Sequence, residues 1–241
     1  MIKYIRFNQQ FDVVKLQQEV SRLEKTLWTA HYNNSNYEGR WSTLQLRSVN
    51  GETGNNTAIQ ASSLPPGVSF KDTPLLALCP YITDVIDFFK MEKTAVRLMK
   101  LDAGGVIKPH SDHDLNFEQG EVRLHIPVST NEKVKFLLEE EQLPMKEGSC
   151  WYLNLSLTHS VINESNSNRV HLVIDGLVND WLKNFFSMEE HHAVMADPLE
   201  TKQQHSPEDK RQIILALRNM QTEVADQLAN DMEASLKQSA T

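Results

Sequence analysis

The sequence predicts a mainly β fold, in which a jelly roll of two β-sheets has helices before it and a helical extension after it. Between Thr94 and Asp175 the chain shows short runs of alternating apolar and polar residues, separated by turn signals such as Gly104-Gly105. Such runs are typical of an all-β sandwich or barrel. On both sides of this region apolar residues recur with helical spacing, which predicts the flanking helices.

Alternation with a period of two residues predicts seven strands in the central region. They are Ala95–Leu101, Ile107–Asp112, Val122–Val128, Lys135–Glu139, Ser149–Asn154, Ser160–Asn163 and Val170–Asp175. Short strands with this spacing around an internal site favour a cupin-like double-stranded β-helix.

The residues before the jelly roll predict two helices and one strand. Phe11 to Trp28 and Tyr81 to Phe89 each carry apolar residues near a 3.6-residue period. Trp41 to Arg47 alternates as a half-buried strand does. We therefore expect an α/β part over residues 1–93 that leads into the jelly-roll core over residues 94–186.

Residues 187–241 predict a helical C-terminal extension outside the domain formed by residues 1–186. Ser206-Pro207-Glu208-Asp209 offers a capping serine, a first-turn proline and acids that suit a helix start. An apolar stripe from Ile213 to Leu236 follows. We expect this helix to pack on its own domain, with a homodimer through the helix as the alternative.

Composition restricts the partners and the cellular location. The chain has 241 residues and a net charge of −8, which argues against a nucleic-acid partner. It contains no apolar run long enough to span a membrane, and Met1 to Arg6 lacks the apolar core of a signal peptide. The two cysteines, Cys79 and Cys150, form no disulfide framework. We expect a cytoplasmic protein with reduced thiols.

Two histidines and one carboxylate are the candidate catalytic metal ligands. His110 and Asp112 are two residues apart on a predicted strand, so Lys108 and these two side chains are expected on one face. His159 is expected to complete the site from a neighbouring strand. A 2-His-1-carboxylate set holds non-haem Fe(II) and leaves positions open for O2 and a co-substrate. Arg169 lies ten positions beyond His159, where it could bind the carboxylate of a co-substrate such as 2-oxoglutarate.

Five ordered motifs resemble the aspartyl/asparaginyl β-hydroxylase family of Fe(II)/2-oxoglutarate-dependent oxygenases, including its bacterial proline hydroxylases. The motifs are Ile107-Lys108-Pro109-His110-Ser111-Asp112, Glu121-Val122-Arg123-Leu124-His125-Ile126-Pro127-Val128, Gly148-Ser149-Cys150-Trp151-Tyr152-Leu153-Asn154, Thr158-His159-Ser160-Val161 and Arg169-Val170-His171-Leu172-Val173-Ile174-Asp175. Together with the stretch from His31 to Arg47, the resemblance covers roughly residues 10 to 180.

The resemblance implies roles for the residues at matching positions. His110 and His159 match iron ligands, and Arg169 matches the arginine that binds the distal carboxylate of 2-oxoglutarate. Arg123 and His125 match a basic pair that also contacts the co-substrate. A surface ion pair for Arg123 and a satisfied core histidine for His125 are the alternatives. His171 is interpreted as a core histidine outside the site.

The substrate is predicted only as a class. The family's animal members carry glycine where this chain has Asp112, so the complete triad makes halogenation less favourable and weakens transfer of their protein substrate. A hydroxylase acting on an amino acid or a peptidyl Asp/Asn-like residue is expected, with Trp41, Arg47, Arg97 and Asn116 as candidate substrate contacts. Two alternatives remain, namely a cupin-like metal-dependent isomerase or hydrolase and a non-catalytic binding module.

Overall fold

A computed structural model describes residues 1–55, 64–112 and 115–196, and Asn230 alone in the rest of the chain. The helices are α1 (Val13–Arg22), α2 (Pro80–Phe88) and α3 (Asp180–Phe186). The strands are β1 (Ile2–Gln10), β2 (Thr29–Ala30), β3 (Tyr37–Glu38), β4 (Trp41–Val49), β5 (Phe70–Asp72), β6 (Lys93–Leu101), β7 (Val106–His110), β8 (Glu121–Ser129), β9 (Val134–Leu138), β10 (Glu141–Leu143), β11 (Ser149–Leu153), β12 (His159–Asn163), β13 (Arg169–Leu177) and β14 (His192–Met195).

The strands form two antiparallel sheets, which confirms the predicted jelly roll. The nine-stranded major sheet has the order β14-β1-β11-β8-β13-β6-β4-β2, with β5 paired to β4. The five-stranded minor sheet has the order β10-β9-β12-β7-β3. All seven predicted strands of the central region are present with small shifts at their ends, whereas β1, β14 and the short strands β2, β3, β5 and β10 were not predicted.

Two hydrophobic cores lie on opposite faces of the major sheet. On the outer face, Leu172 of β13 belongs to a core that also contains Leu16 of α1, Ile82 of α2 and Leu182 of α3. On the inner face, Val173 belongs to the core between the two sheets. Successive side chains of a strand point to opposite faces, so alternate residues of the central strands reach the space between the sheets.

The first helix is shorter than the predicted Phe11 to Trp28, because α1 ends at Arg22. The Trp28 indole folds back, becomes buried and donates to the Leu23 carbonyl oxygen at 3.3 Å. This reversal replaces the last predicted helical turns and leaves Leu27 86% exposed.

The chain divides into two units, Met1–Ala196 and Asp197–Thr241, rather than at the predicted boundary between residues 186 and 187. The reason is that β14 pairs with β1 in the major sheet, which brings the segment after α3 into the first unit. His191, in that segment, is buried and accepts a hydrogen bond from the Asn8 backbone.

The predicted tail helix, its apolar stripe and the homodimer through it lie outside the described residues. Within the described residues, no helix combines the length and the apolar character needed to cross a membrane.

Candidate active site

The three predicted metal ligands meet at one end of the minor sheet. His110 is the last residue of β7 and His159 the first residue of β12, and the two are direct antiparallel partners. Asp112 follows β7 immediately. Each of the three offers a ligand atom, and these atoms lie within 4.8 Å of one another.

A register shift in β7 sets the direction of His110. His159 pairs with His110 and Val161 pairs with Ile107, so β7 carries one extra residue between these pairs. An extra residue reverses the local alternation of a strand, and Ile107 and His110 both line the same cavity. The expectation that Lys108 shares the face of His110 is therefore wrong. Lys108 is exposed, with its ammonium 3.3 Å from Glu38.

Asp112 is placed by a loop and not by the predicted strand, because β7 ends at His110. The Asp112 backbone N–H donates to the Leu155 carbonyl oxygen at 2.8 Å. This hydrogen bond holds the loop after β7 against the segment that leads into β12, and so brings the carboxylate next to both histidines.

Hydrogen bonds to the far side of each ligand leave one atom of each for a metal. The Nδ1 atoms of His110 and His159 lie 2.8 Å and 3.0 Å from the carbonyl oxygens of Lys108 and Leu157. Nδ1 must be the donor in both contacts, so in the neutral form of each imidazole Nε2 keeps its lone pair. Asp112 Oδ2 accepts from Arg123 at 2.7 Å, while Oδ1 lies 4.0 Å from His110 Nε2. The arrangement fits a metal bound through Nε2, Nε2 and Oδ1.

The electrostatics keep these ligands in the forms that bind metal. Burial and the neighbouring His110 lower the pKa of His159 to about 4. Burial opposes ionisation of Asp112, but Arg123 and the two histidines outweigh it, so the pKa of this carboxyl is lowered. At neutral pH the site therefore offers a neutral imidazole at His159 and a carboxylate at Asp112, as metal binding requires.

A cavity of about 310 Å³ lies between the two sheets and contains the triad. The minor sheet contributes His110 and His159, and the major sheet contributes Arg97, Arg123 and Arg169 from its central strands. The ligand atoms and the buried guanidinium groups thus line one space from opposite sides.

Arg169, the predicted co-substrate anchor, is 3% exposed and has no carboxylate partner among the described residues. Its Nη2 donates to His171 Nδ1 at 2.9 Å, its Nε has no hydrogen-bond partner in the described part of the chain, and the guanidinium lies 6.0 Å from the centre of the Phe136 ring. Burial lowers the pKa of Arg169 to about 9. A carboxylate from a ligand would supply the missing counter-charge.

His125 and His171 flank Arg169 as buried, neutral imidazoles. Burial, together with the Arg169 charge, lowers both pKa values well below the ordinary one. His125 lines the cavity, and its Nε2 has no hydrogen-bond partner in the described ranges. His171, interpreted from the sequence as a core histidine, is buried and directly contacts the Arg169 guanidinium.

Arg123 contacts two protein carboxylates. Its Nε and Nη2 donate to Asp175 at 2.7 Å and 2.9 Å, and its Nη1 donates to Asp112 at 2.7 Å. Arg97 also donates to Asp175. Burial opposes ionisation of Asp175, but these two cations outweigh it and lower its pKa to about 2. Three of the five N–H groups of Arg123 are thus bonded within the protein, and its contact with a co-substrate stays a prediction.

The four candidate substrate contacts separate into two pairs. Trp41 and Arg97 line the cavity. Arg47 instead binds Asp72 at 2.6 Å, and Asn116 accepts from the Gln119 backbone at 3.0 Å as the cap of a short 3-10 helix. Neither of these last two lines the cavity.

Two residues of the site were missed in the sequence. Asp175 shares a face of β13 with Arg169 by alternation, and this signal was available in the sequence. His31 stacks on Trp41 with ring centroids 3.6 Å apart, and both line the cavity. No local sequence pattern indicates the stacking of His31 on Trp41, because the two residues lie in different segments of the chain.

The fold and the site define a class of enzyme. A jelly roll that brings together two histidines and one carboxylate able to hold a metal, with a buried arginine in the same cavity that has no carboxylate partner among the described residues, is typical of an Fe(II)/2-oxoglutarate-dependent hydroxylase.

Comparison with known proteins agrees with this class. A family model described as aspartyl/asparaginyl beta-hydroxylase matches residues 10–178, and the chain belongs to this family. It is 24% identical over 200 residues to an L-proline cis-4-hydroxylase of Rhizobium meliloti (strain 1021), covering 82% of this chain and 69% of that protein.

Two solved structures are among the matches to this chain. An oxidoreductase of the 2OG-Fe(II) oxygenase family from Burkholderia pseudomallei superimposes with a TM-score of 0.46 at 11% identity, over 69% of this chain and 80% of that one. HygX from Streptomyces hygroscopicus, solved with nickel and 2-oxoglutarate, gives a TM-score of 0.45 at 10% identity, over 73% and 84% of the two chains.

Proposed function

We propose that this protein hydroxylates a C–H bond of a small, carboxylate-bearing, amino-acid-like substrate. The reaction would consume one 2-oxoglutarate and one O2 for each substrate, and would yield the hydroxylated product, succinate and CO2. Bound Fe(II) and 2-oxoglutarate supply the oxidising chemistry, and the protein supplies binding and orientation.

The observation that carries the proposal is Arg169, which lies in the cavity of the triad and has no carboxylate partner in the described part of the chain. A metal-dependent isomerase or hydrolase would use the same three ligands but has no need of a buried guanidinium without a counter-ion. A guanidinium can bind a carboxylate through two parallel hydrogen bonds, and the Nε of Arg169 has no hydrogen-bond partner within the described ranges. This residue is therefore suited to the distal carboxylate of 2-oxoglutarate.

Each residue of the proposed site has a separate task. His110, Asp112 and His159 would hold the metal on one side. Arg169 would anchor the co-substrate, and His125, whose Nε2 is buried and unbonded in the described residues, would add a polar contact to it. Holding the substrate and 2-oxoglutarate in a fixed orientation next to the metal would be a large source of rate enhancement.

The size and the charge of the cavity support a free amino acid as the substrate. Its volume of about 310 Å³ is at the low end for ligand pockets, which run from about 300 to about 1,000 Å³, and it must hold the co-substrate as well. Arg97 lines the cavity, is 4% exposed, and has a buried Nε without a partner in the described residues. We propose that Arg97 binds the substrate carboxylate beside Trp41. The proline hydroxylase named among the relatives supports a substrate of this kind.

The decisive assay measures succinate release in the presence of Fe(II), 2-oxoglutarate and O2, across free amino acids and short Asp- or Asn-containing peptides. We expect a subset of free amino acids to stimulate release, with hydroxylated product formed in equal amount. His159→Ala is the inactive control, and Arg97→Met should raise the substrate KM without changing the 2-oxoglutarate KM. Stimulation by peptides alone would contradict the proposed substrate class.

We also propose a cytoplasmic location. Cys79 and Cys150 are both free and buried, and unpaired thiols are the rule in reducing compartments. Cell fractionation checks this, and recovery in an oxidising compartment would contradict it.

A further inference from the structure

Asp175 is a buried carboxylate that none of the proposed catalytic steps uses. It lies on β13, where its Cα pairs with that of Arg123 on β8, while Arg97 comes from β6 on the other side. The Arg123 Nε and Nη2 donate to its two oxygens at 2.7 Å and 2.9 Å, and Arg97 donates to Oδ2 as well. Three adjacent strands therefore fix the two guanidinium groups on one carboxylate.

The two bonds from Arg123 to Asp175 determine where the third bond points. A guanidinium is planar and rigid, so a fork that is held through Nε and Nη2 has only one direction left for Nη1. This Nη1 donates to Asp112 Oδ2 at 2.7 Å. Asp112 follows the end of β7, and among the described residues its carboxylate accepts a hydrogen bond only from Arg123.

We propose that Asp175 is a positioning residue of the metal site. By holding Arg123, it keeps Oδ2 of Asp112 occupied and leaves Oδ1 directed towards the two histidines. By holding Arg97, it also places the guanidinium that we assign to the substrate carboxylate. The inference rests on the proposed function, and it makes Asp175 the link between the metal ligand and the substrate anchor.

A purely structural role for Asp175 would be charge compensation of two buried arginines. Loss of that compensation would lower the stability of the fold and leave the metal affinity of the folded molecules unchanged. Glu19 provides a matched control, because it is a buried carboxylate that accepts two hydrogen bonds at 2.8 Å, from Tyr81 and Ile82 at the start of α2. It does not line the cavity.

The experiment is an anaerobic Fe(II) titration of the full chain, on the folded fraction of wild type, Asp175→Asn and Glu19→Gln. Loss of a residue that orients a ligand weakens metal binding by about 10–100-fold, and we expect this for Asp175→Asn. Glu19→Gln should lower the unfolding midpoint and leave Fe(II) affinity unchanged. In the Fe(II)-saturated Asp175→Asn variant, 2-oxoglutarate affinity should match that of wild type, because Arg169 does not contact Asp175.

A second variant covers the case in which Asp175→Asn does not fold. Arg123→Lys keeps the positive charge but loses the planar fork, and it should show the same loss of Fe(II) affinity. Wild-type Fe(II) affinity in a folded Asp175→Asn protein, or in Arg123→Lys, would overturn this inference alone. A wild-type protein that binds no Fe(II) would overturn the proposed function together with it.

Discussion

Buried arginines occupy two regions of the inner face of the major sheet, and the regions differ in how the positive charge is balanced. In the first region, Arg97 and Arg123 share Asp175, and Arg123 also binds Asp112. In the second region, Arg169 contacts His171 and has no carboxylate partner in the described residues. Two protein carboxylates balance the first region, where Arg97 keeps its Nε for the substrate, whereas the second region is left for the distal carboxylate of the co-substrate.

This difference in charge balance assigns different tasks to the buried arginines, because Arg123 orients a metal ligand whereas Arg169, with no carboxylate partner among the described residues, is free to bind an anionic ligand. A buried charge without a partner is unfavourable, and removing one member of a buried pair costs about 3–5 kcal/mol. An anionic ligand is therefore most favourable at Arg169. At Arg123 the same ligand would have to compete with two carboxylates that are already bonded.

The largest expected effect is that of Arg169→Ala on the co-substrate. Removing the only cation assigned to the distal carboxylate should raise the apparent 2-oxoglutarate KM by more than about a hundredfold, on the scale of a lost buried charge pair. Anaerobic calorimetry on Fe(II)-loaded protein measures the same loss as an affinity. Lys135→Ala, which removes a partly exposed lysine paired with Glu164, is the control. Unchanged co-substrate dependence would place the carboxylate elsewhere.

The next effect distinguishes the two regions directly. Arg123→Gln should weaken Fe(II) binding by about 10–100-fold, because Asp112 loses the donor that orients it. The 2-oxoglutarate affinity of the Fe(II)-saturated variant should change much less than in Arg169→Ala. If both variants lose 2-oxoglutarate equally, Arg123 contacts the co-substrate, as the family resemblance implies, and the contrast between the regions is wrong.

A smaller effect is expected for His171→Phe. The ring stays similar in size, but Arg169 loses the acceptor that holds its Nη2. A hydrogen bond to a charged group contributes about 1.5–3 kcal/mol, so 2-oxoglutarate affinity should fall by roughly tenfold or more, with Fe(II) affinity unchanged. Calorimetry checks both values. Equal 2-oxoglutarate affinities in the variant and in wild type would show that His171 is only a core histidine.

The smallest effect concerns stability in acid. Asp175 has a pKa of about 2 in the folded protein, whereas an unfolded aspartate titrates near about 3.9. Because the folded pKa is the lower one, ionised Asp175 stabilises the fold above about pH 4, and this contribution is lost as the pH falls towards about 2. In urea unfolding of the metal-free protein, the free energy of unfolding should therefore fall more steeply with decreasing pH for wild type than for Asp175→Asn. The same pH dependence of the unfolding free energy in both proteins would contradict the ion pairs of Asp175 with Arg97 and Arg123.

Alternation in the sequence predicted the elements that carry the site. It placed Arg169 and His171 on one strand face and identified the seven central strands, whereas residue type and spacing selected the three residues that the structure brings together. These predictions succeed because a central strand buried on both faces has a fixed register, and a one-residue slip would exchange its two faces.

The rest depends on contacts that no local pattern contains. The extra residue in β7 reverses the alternation at His110, and Pro109, a residue typical of bulges and edges, is its only local sign. The bonds of Asp175 to Arg97 and Arg123 depend on the register between three strands. The early end of α1 results from Trp28 folding back onto Leu23.

The most direct measurement is a crystal structure of the protein with a redox-inert divalent metal and 2-oxoglutarate. The account predicts the metal bound by His110 Nε2, His159 Nε2 and Asp112 Oδ1. It also predicts the distal carboxylate of 2-oxoglutarate within hydrogen-bond distance of Arg169, while Arg123 keeps its bonds to Asp112 and Asp175. A distal carboxylate bound by Arg123 or Arg97, with Arg169 left without a ligand, would contradict it.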